Sequence, residues 1–221
     1  MVRFFDIFFS LLALILFSPF LVPVAVILRF TGEHEIFYIQ SRVGENGKIF
    51  GLLKFATMLK DSPNVGTGTV TTKDDPRVLP FGKFLRKTKI NELPQLINIL
   101  KGDMSVIGPR PQTERCFLAF PDSSQNAIKQ VKPGLSGIGS IIFRDEESIL
   151  DSEKDSLKFY DEVIAPYKGE VEEWYVQNKN IYTYFMLIFL TVWVVVFSKS
   201  RVYQRVFATL PKPPKKLERF L

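Results

Sequence analysis

Residues 86–111 read RKTKINELPQLINILKGDMSVIGPRP. From Asn91 onward, Leu93, Leu96, Ile97 and Leu100 recur at i, i+3, i+4 and i+7, the signature of one helix face. Asn91 suits the N-cap, Pro94 is tolerated in a first turn, and Gly102 suits the stop. Glu92 then falls in the first turn, where free N–H groups and the positive dipole end favour anions. Arg86 and Lys87 lie upstream, and Arg110 follows within Gly108-Pro109-Arg110-Pro111. One carboxylate, several cations and a helix start can together bind a metal-bridged diphosphate. Strongly apolar segments flank this unit at residues 4–28 and 181–197. The pattern predicts a phosphate-handling site held against a membrane.

Charge supports that placement. The chain has 221 residues and a formal net charge of +6. Residues 198–221 hold Lys199, Arg201, Arg205, Lys212, Lys215, Lys216 and Arg219 against Glu218 alone, so this segment carries the whole excess. A basic tail beside an apolar segment fits anionic headgroups, at about 1 kcal/mol per basic residue. No nucleic-acid module accompanies it, so nucleic acid is not the expected partner. Cys116 is the only cysteine and His34 the only histidine. That excludes an intrachain disulfide and a Cys/His zinc site. His34, in GEHEIFY, reads as a solvated loop residue. Carboxylates, Lys/Arg and a hard cation are left to carry any chemistry.

Residues 1–30 form the first unit. The apolar run FFDIFFSLLALILFSPFLVPVAVIL is long enough for a bilayer of roughly 30 Å. Pro19 and Pro23 each remove a backbone donor, and Ser18-Pro19 sits in mid-segment, which predicts a helix that enters, breaks there and leaves on the same side. No small-residue cleavage site follows, so a signal peptide is not expected. Residues 31–180 form the expected cytosolic catalytic domain. Within it, 36–60 read as short strands or turns, 61–77 as a mobile loop that either closes over a ligand or merely connects elements, and 152–180 as helical. Gly134, Gly137 and Gly139 predict a turn whose backbone approaches a ligand closely. Residues 181–197 number 17, the lower limit for a span. A crossing would put the +6 tail outside, against the usual Lys/Arg bias, so this segment is expected to lie in the interface. The fold class expected is α+β, α-rich and membrane-associated.

NELPQLINILKGDMSVIGPRP resembles the signature of the bacterial sugar transferase family, the monotopic polyprenyl-phosphate phosphoglycosyl transferases. The resemblance extends over Ser18-Pro19, Ser41-Arg42-Val43-Gly44, Lys54-Phe55-Ala56-Thr57-Met58, Lys132-Pro133-Gly134-Leu135-Ser136-Gly137 and Tyr160-Asp161. It implies transfer of a sugar-1-phosphate from a UDP-sugar to polyprenyl phosphate, with release of UMP. The expected setting is the cytoplasmic face of the bacterial inner membrane, where the product initiates a surface glycan such as O-antigen or capsule. It implies Mg²⁺ and an Asp-Glu dyad, in which Asp forms a phosphosugar-enzyme and Glu holds the metal. Here the dyad reads Asn91-Glu92. Glu92 is thus the expected metal ligand, and Asn91 occupies the nucleophile's position. Arg86, Lys54, Arg110 and Arg144 are the phosphate-binding candidates. Ala56 stands where a second Lys is frequent, and Ile138-Gly139-Ser140 departs after the Pro-Gly turn.

An amide is a poor nucleophile. Three accounts of Asn91 stay open on sequence: another carboxylate or direct attack by the acceptor phosphate, a substituted catalytic Asp, or an inactive relative that binds UDP-sugar or lipid.

Overall fold

The computed structural model describes residues 1–65, 75–197 and 200–221. Most of the loop predicted at 61–77 lies outside these. Helix α1 spans Val2–Phe30 and is followed by an antiparallel hairpin of β1, Phe37–Val43, and β2, Ile49–Phe55. Asn46 (φ 57°) and Gly47 (φ 72°) both lie in the left-handed region, so Asn-Gly chemistry closes the hairpin. Alternation then sends Gln40, Arg42, Leu52 and Lys54 to the inner face.

Helix α2 (Pro80–Lys87), a 3₁₀ turn (Ile90–Glu92) and α3 (Gln95–Lys101) lead to strand β3 (Ser105–Ile107). Short helices α4 (Glu114–Leu118) and α5 (Asp122–Ile128) precede β4 (Gly134–Ser136), which pairs with β3 in parallel. Next come α6 (Ile138–Ile142), α7 (Glu146–Asp151), α8 (Ser156–Phe159), a π-helical turn (Tyr160–Ile164) and α9 (Ala165–Asn178). Helix α10 (Ile181–Val196) and two short helices, α11 (Val202–Val206) and α12 (Lys215–Glu218), complete an α-rich α+β fold.

The proline break is replaced by a local repair. Helix α1 is continuous through Ser18, Pro19 and Pro23. Pro19 leaves the Ile15 carbonyl without its helical donor, and the Ser18 hydroxyl donates to that same carbonyl at 2.9 Å. At about 1.5 Å per residue the helix is long enough to cross a bilayer, yet both ends dock on the same body. Near the start, Arg3 donates to the carbonyls of Ile99 and Leu100, and buried Asp6 accepts from Ser105 Oγ, Val106 N and Tyr184 OH. Near the end, Val24 and Leu28 bury against Phe55 and Leu85. The opposite face, including Phe8, Leu12, Ile15 and Phe20, is exposed.

Helix α10 divides in the same manner. Tyr184, Leu187, Leu190 and Val194 enter the main core, while Phe189, Trp193, Val196 and Phe197 stay exposed. The basic tail is anchored rather than free: Tyr203, Phe207, Leu217 and Leu221 are buried in that core. Trp174 Nε1 donates to Thr209 Oγ1 at 3.0 Å, and Tyr167 OH to the Pro211 carbonyl at 3.0 Å. Arg201, Arg205, Lys212, Lys215 and Lys216 point to solvent.

The glycines serve the chain itself. A Cβ at Gly134 would lie 2.1 Å from Gly108 N, and one at Gly137 would lie 2.2 Å from Gly108 O. Their close approach to backbone lets β3 and β4 meet.

Candidate active site

The sequence places Asn91 at a helix start; the structure places it inside the 3₁₀ turn, with Lys89 (φ 59°) as the left-handed residue before it. Holding a non-glycine residue there takes about 1–3 kcal/mol from the surrounding fold. Asn91 is buried, and its Oδ1 has no hydrogen-bond partner among the described residues. Helix α3 begins only at Gln95 and ends at Gly102 (φ 100°), as the stop signal predicts. Its buried side also differs from the predicted face: Leu96 and Ile99 are buried with Asn98, while Ile97 and Leu100 are half-buried. Asn98 explains the rotation. It accepts from Leu53 N at 2.9 Å and donates to Gly51 O at 2.8 Å, so α3 grips the edge of β2. That grip fixes Lys54 beside the 3₁₀ turn.

Lys54, Arg86, Asn91, Glu92, Arg110 and Arg144 all line one cleft of about 1360 Å³. The Arg110 guanidinium straddles the Glu92 carboxylate, with Nη2 at 2.6 Å from Oε1 and Nη1 at 3.4 Å from Oε2. Burial alone would raise the Glu92 carboxyl, but Arg110 and Lys54 outweigh it and hold the group well below the usual carboxylate range. Burial, reinforced by Arg42, pushes the Lys54 ammonium down to about 7 despite the attraction of Glu92. Arg86 donates to Glu147 on α7, a half-exposed ion pair spanning the cleft. Arg144 has Nη1 buried with no hydrogen-bond partner among the described residues. A cation-lined cleft with a buried, unpartnered guanidinium donor is built to take up an anion.

Arg42 and Lys168 in the cleft, and Glu172 behind it, carry no assigned role in the sequence. Arg42 lies two residues from Gln40 on the inner face of β1 and donates to Gln40 Oε1 and the Pro111 carbonyl. Burial and Arg110 lower it to about 10, so it stays cationic at neutral pH. Lys168 pairs with Glu146 beside the cleft. Glu172, fully enclosed on α9, accepts the Arg110 backbone N–H at 3.0 Å through Oε1. A Cβ at Gly139 would lie 2.2 Å from that oxygen, so glycine is required for Glu172 to reach the Arg110 turn. Burial raises the Glu172 carboxyl to about 7. Alternation leaves the face of β1 undecided, since apolar Phe37 and Ile39 are exposed while Gln40 and Arg42 turn inward; Glu172 has no local signal, because it is 62 residues from its partner.

Glu92 is the expected metal ligand. Among the described residues, no group of three or more Asp, Glu, His or Cys side chains is assembled. Mg²⁺ takes one or two protein oxygens and fills its octahedron with phosphate oxygens and water. The Glu92 carboxylate and the unpartnered Asn91 Oδ1 suit that mode, since both are hard oxygen donors on successive residues.

The family model described as bacterial sugar transferase matches residues 1–198. The exopolysaccharide production protein ExoY of Sinorhizobium fredii is 34% identical, over 90% of this chain and 86% of its own length. The undecaprenyl-phosphate galactose phosphotransferase of Salmonella typhimurium is 31% identical over 88% of this chain, matched to 40% of that protein. A UDP-N-acetylgalactosamine-undecaprenyl-phosphate N-acetylgalactosaminephosphotransferase of Aeromonas hydrophila is 31% identical over 85% of this chain and 41% of its own length. The chain belongs to the bacterial sugar transferase family.

Proposed function

We propose that this chain transfers a sugar-1-phosphate from a UDP-sugar to polyprenyl phosphate, releasing UMP and initiating a surface glycan. The observation that carries the reading is the convergence of Lys54, Arg86, Arg110 and Arg144 on Glu92 and Asn91 in one cleft. The relatives' names supply the sugar-phosphate and polyprenyl classes. The proposed setting is the cytoplasmic face of the inner membrane. Both ends of α1 contact one globular body, which supports placing both on one side of the membrane.

Asn91 cannot supply an attacking carboxylate, so the reaction is assigned a direct displacement. An oxygen of polyprenyl phosphate attacks the sugar-bearing phosphorus of the donor. The new P–O bond forms as the bond to the bridging oxygen breaks, and the electron pair leaves on UMP. Arg86 and Lys54 bind the diphosphate, and Arg110, held by Glu92 and Glu172, faces the developing charge. Glu92 and Asn91 Oδ1 are the groups to hold Mg²⁺, which when bound neutralises diphosphate charge and polarises its oxygens.

The test is a burst. A covalent route releases up to about one equivalent of UMP per enzyme before acceptor is added; direct attack releases none. Turnover without a burst is expected for this chain, and a burst for Asn91→Asp. A burst in the unaltered chain would overturn direct displacement. Absence of turnover with a panel of UDP-sugars would overturn the transferase assignment.

A further inference from the structure

The charged cleft does not end at its cations. Ile188, Thr191, Val192 and Val195 of α10 line the same cavity as Lys54, Arg86, Arg110 and Arg144. They recur at i, i+3, i+4 and i+7, one continuous stripe along the helix. This stripe is distinct from the core-facing set of Tyr184, Leu187, Leu190 and Val194, although Val194 also borders the cavity. Val192 and Val195 are each 61% exposed, so packing within the chain does not account for them. Leu135, Ile141 and Phe143 line the cavity as well. Ser136 on β4 and Thr191 bridge hydroxyl to hydroxyl at 2.8 Å, which fixes the stripe relative to the glycine-packed turn beside Arg110. The outer face of α10 carries Phe189, Trp193 and Phe197 in ring contact, with neighbouring centroids 5.9 and 4.6 Å apart. Aromatic rings in that arrangement suit the headgroup level of a bilayer.

We infer that the α10 stripe is the binding site for the isoprenoid chain of the acceptor, threading it from the bilayer to the cationic floor. The inference rests on the transferase reading for the acceptor's class and adds where that acceptor lies. The cavity has an anion-binding end and an apolar wall, complementary to an amphiphile whose phosphate heads a long hydrocarbon chain. The choice of α10 over α1 is also structural. Helix α1 exposes the larger apolar surface, but none of its residues lines the cavity. A chain lying on α1 would leave its phosphate away from Arg110, whereas one on α10 reaches the cations without leaving the cleft.

Photolabelling locates the chain independently of turnover. A polyprenyl phosphate with a diazirine in its first isoprene units is bound to the full-length protein in nanodiscs, irradiated, and the labelled peptides are mapped. Label is expected on residues 188–195, displaced by unlabelled polyprenyl phosphate but not by neutral polyprenol. Label confined to α1, or label on α10 that polyprenol displaces equally, would overturn the assignment. Val192→Asn and Val195→Asn change exposed positions, so folding is not at stake. Each should raise the acceptor KM roughly tenfold with the UDP-sugar Kd unchanged. An unchanged acceptor KM in both variants would also overturn it. If the unaltered protein releases no UMP with any donor, the transferase reading fails, while the labelling still reports whether α10 holds a prenyl phosphate.

Discussion

Donor binding should be coupled to proton uptake at Lys54. Burial, then Arg42, brings this ammonium down to about 7 in the ligand-free cleft. A bound diphosphate supplies the anion the site lacks and restores the charged form. If only protonated Lys54 binds the donor, the apparent Kd is flat below about pH 6 and rises above 7. With a free-state value of about 7, the rise between pH 7 and 9 approaches fifty-fold, levelling where Lys54 of the complex itself titrates. Calorimetry with a UDP-sugar, in two buffers of different ionisation enthalpy, should show about half a proton taken up at pH 7 and nearly one at pH 9. Lys54→Arg keeps a permanent cation and should bind with a flat profile. Lys54→Met should bind weakly and without slope. A pH-independent Kd in the unaltered protein, or a slope that persists in Lys54→Arg, would refute the reasoning. The same shift has a stability sign. The folded state binds fewer protons than the unfolded chain between about 7 and 10.5, so ligand-free stability should rise as pH climbs through that window, and not in Lys54→Met.

Glu92→Gln removes the carboxylate that pairs with Arg110 at 2.6 Å, and turnover should fall on the order of a hundredfold with weakened Mg²⁺ dependence, read by UMP release against metal titration. Glu172→Gln keeps an acceptor for the Arg110 N–H and should retain most activity; Glu172→Leu removes it and should lower kcat with little change in donor KM, and equal behaviour of the two variants would dismiss the Glu172–Arg110 contact as a positioning device. Leu217→Ala deletes a fully buried side chain of the tail and should destabilise the fold by about 2–5 kcal/mol in chemical denaturation, against nearly nothing if the tail is only a solvated segment.

Local chemistry made much of this protein legible from its sequence. The 86–111 motif carries the family, and Gly102 stops α3 because its conformational freedom suits φ 100°. The hydrophobic runs announce two apolar helices. Each depends on residues within a turn or two of one another. Asn91 lies outside α3: cap chemistry is common to several turns, and the contacts around α3, including Asn98 on β2, determine where the helix starts. The Ser-Pro pair marks a disturbance, but its outcome depends on a hydroxyl that replaces the missing donor. Glu172 under Arg110, Glu147 across from Arg86 and the tail on α9 are pairings between residues 35 to 62 positions apart. Such pairs leave no periodic trace in the chain. Composition provides the cations of the cleft. Only tertiary packing decides which of them lose water: desolvation brings Lys54 to about 7, and Asn91 Oδ1 and Arg144 Nη1 are buried without partners among the described residues.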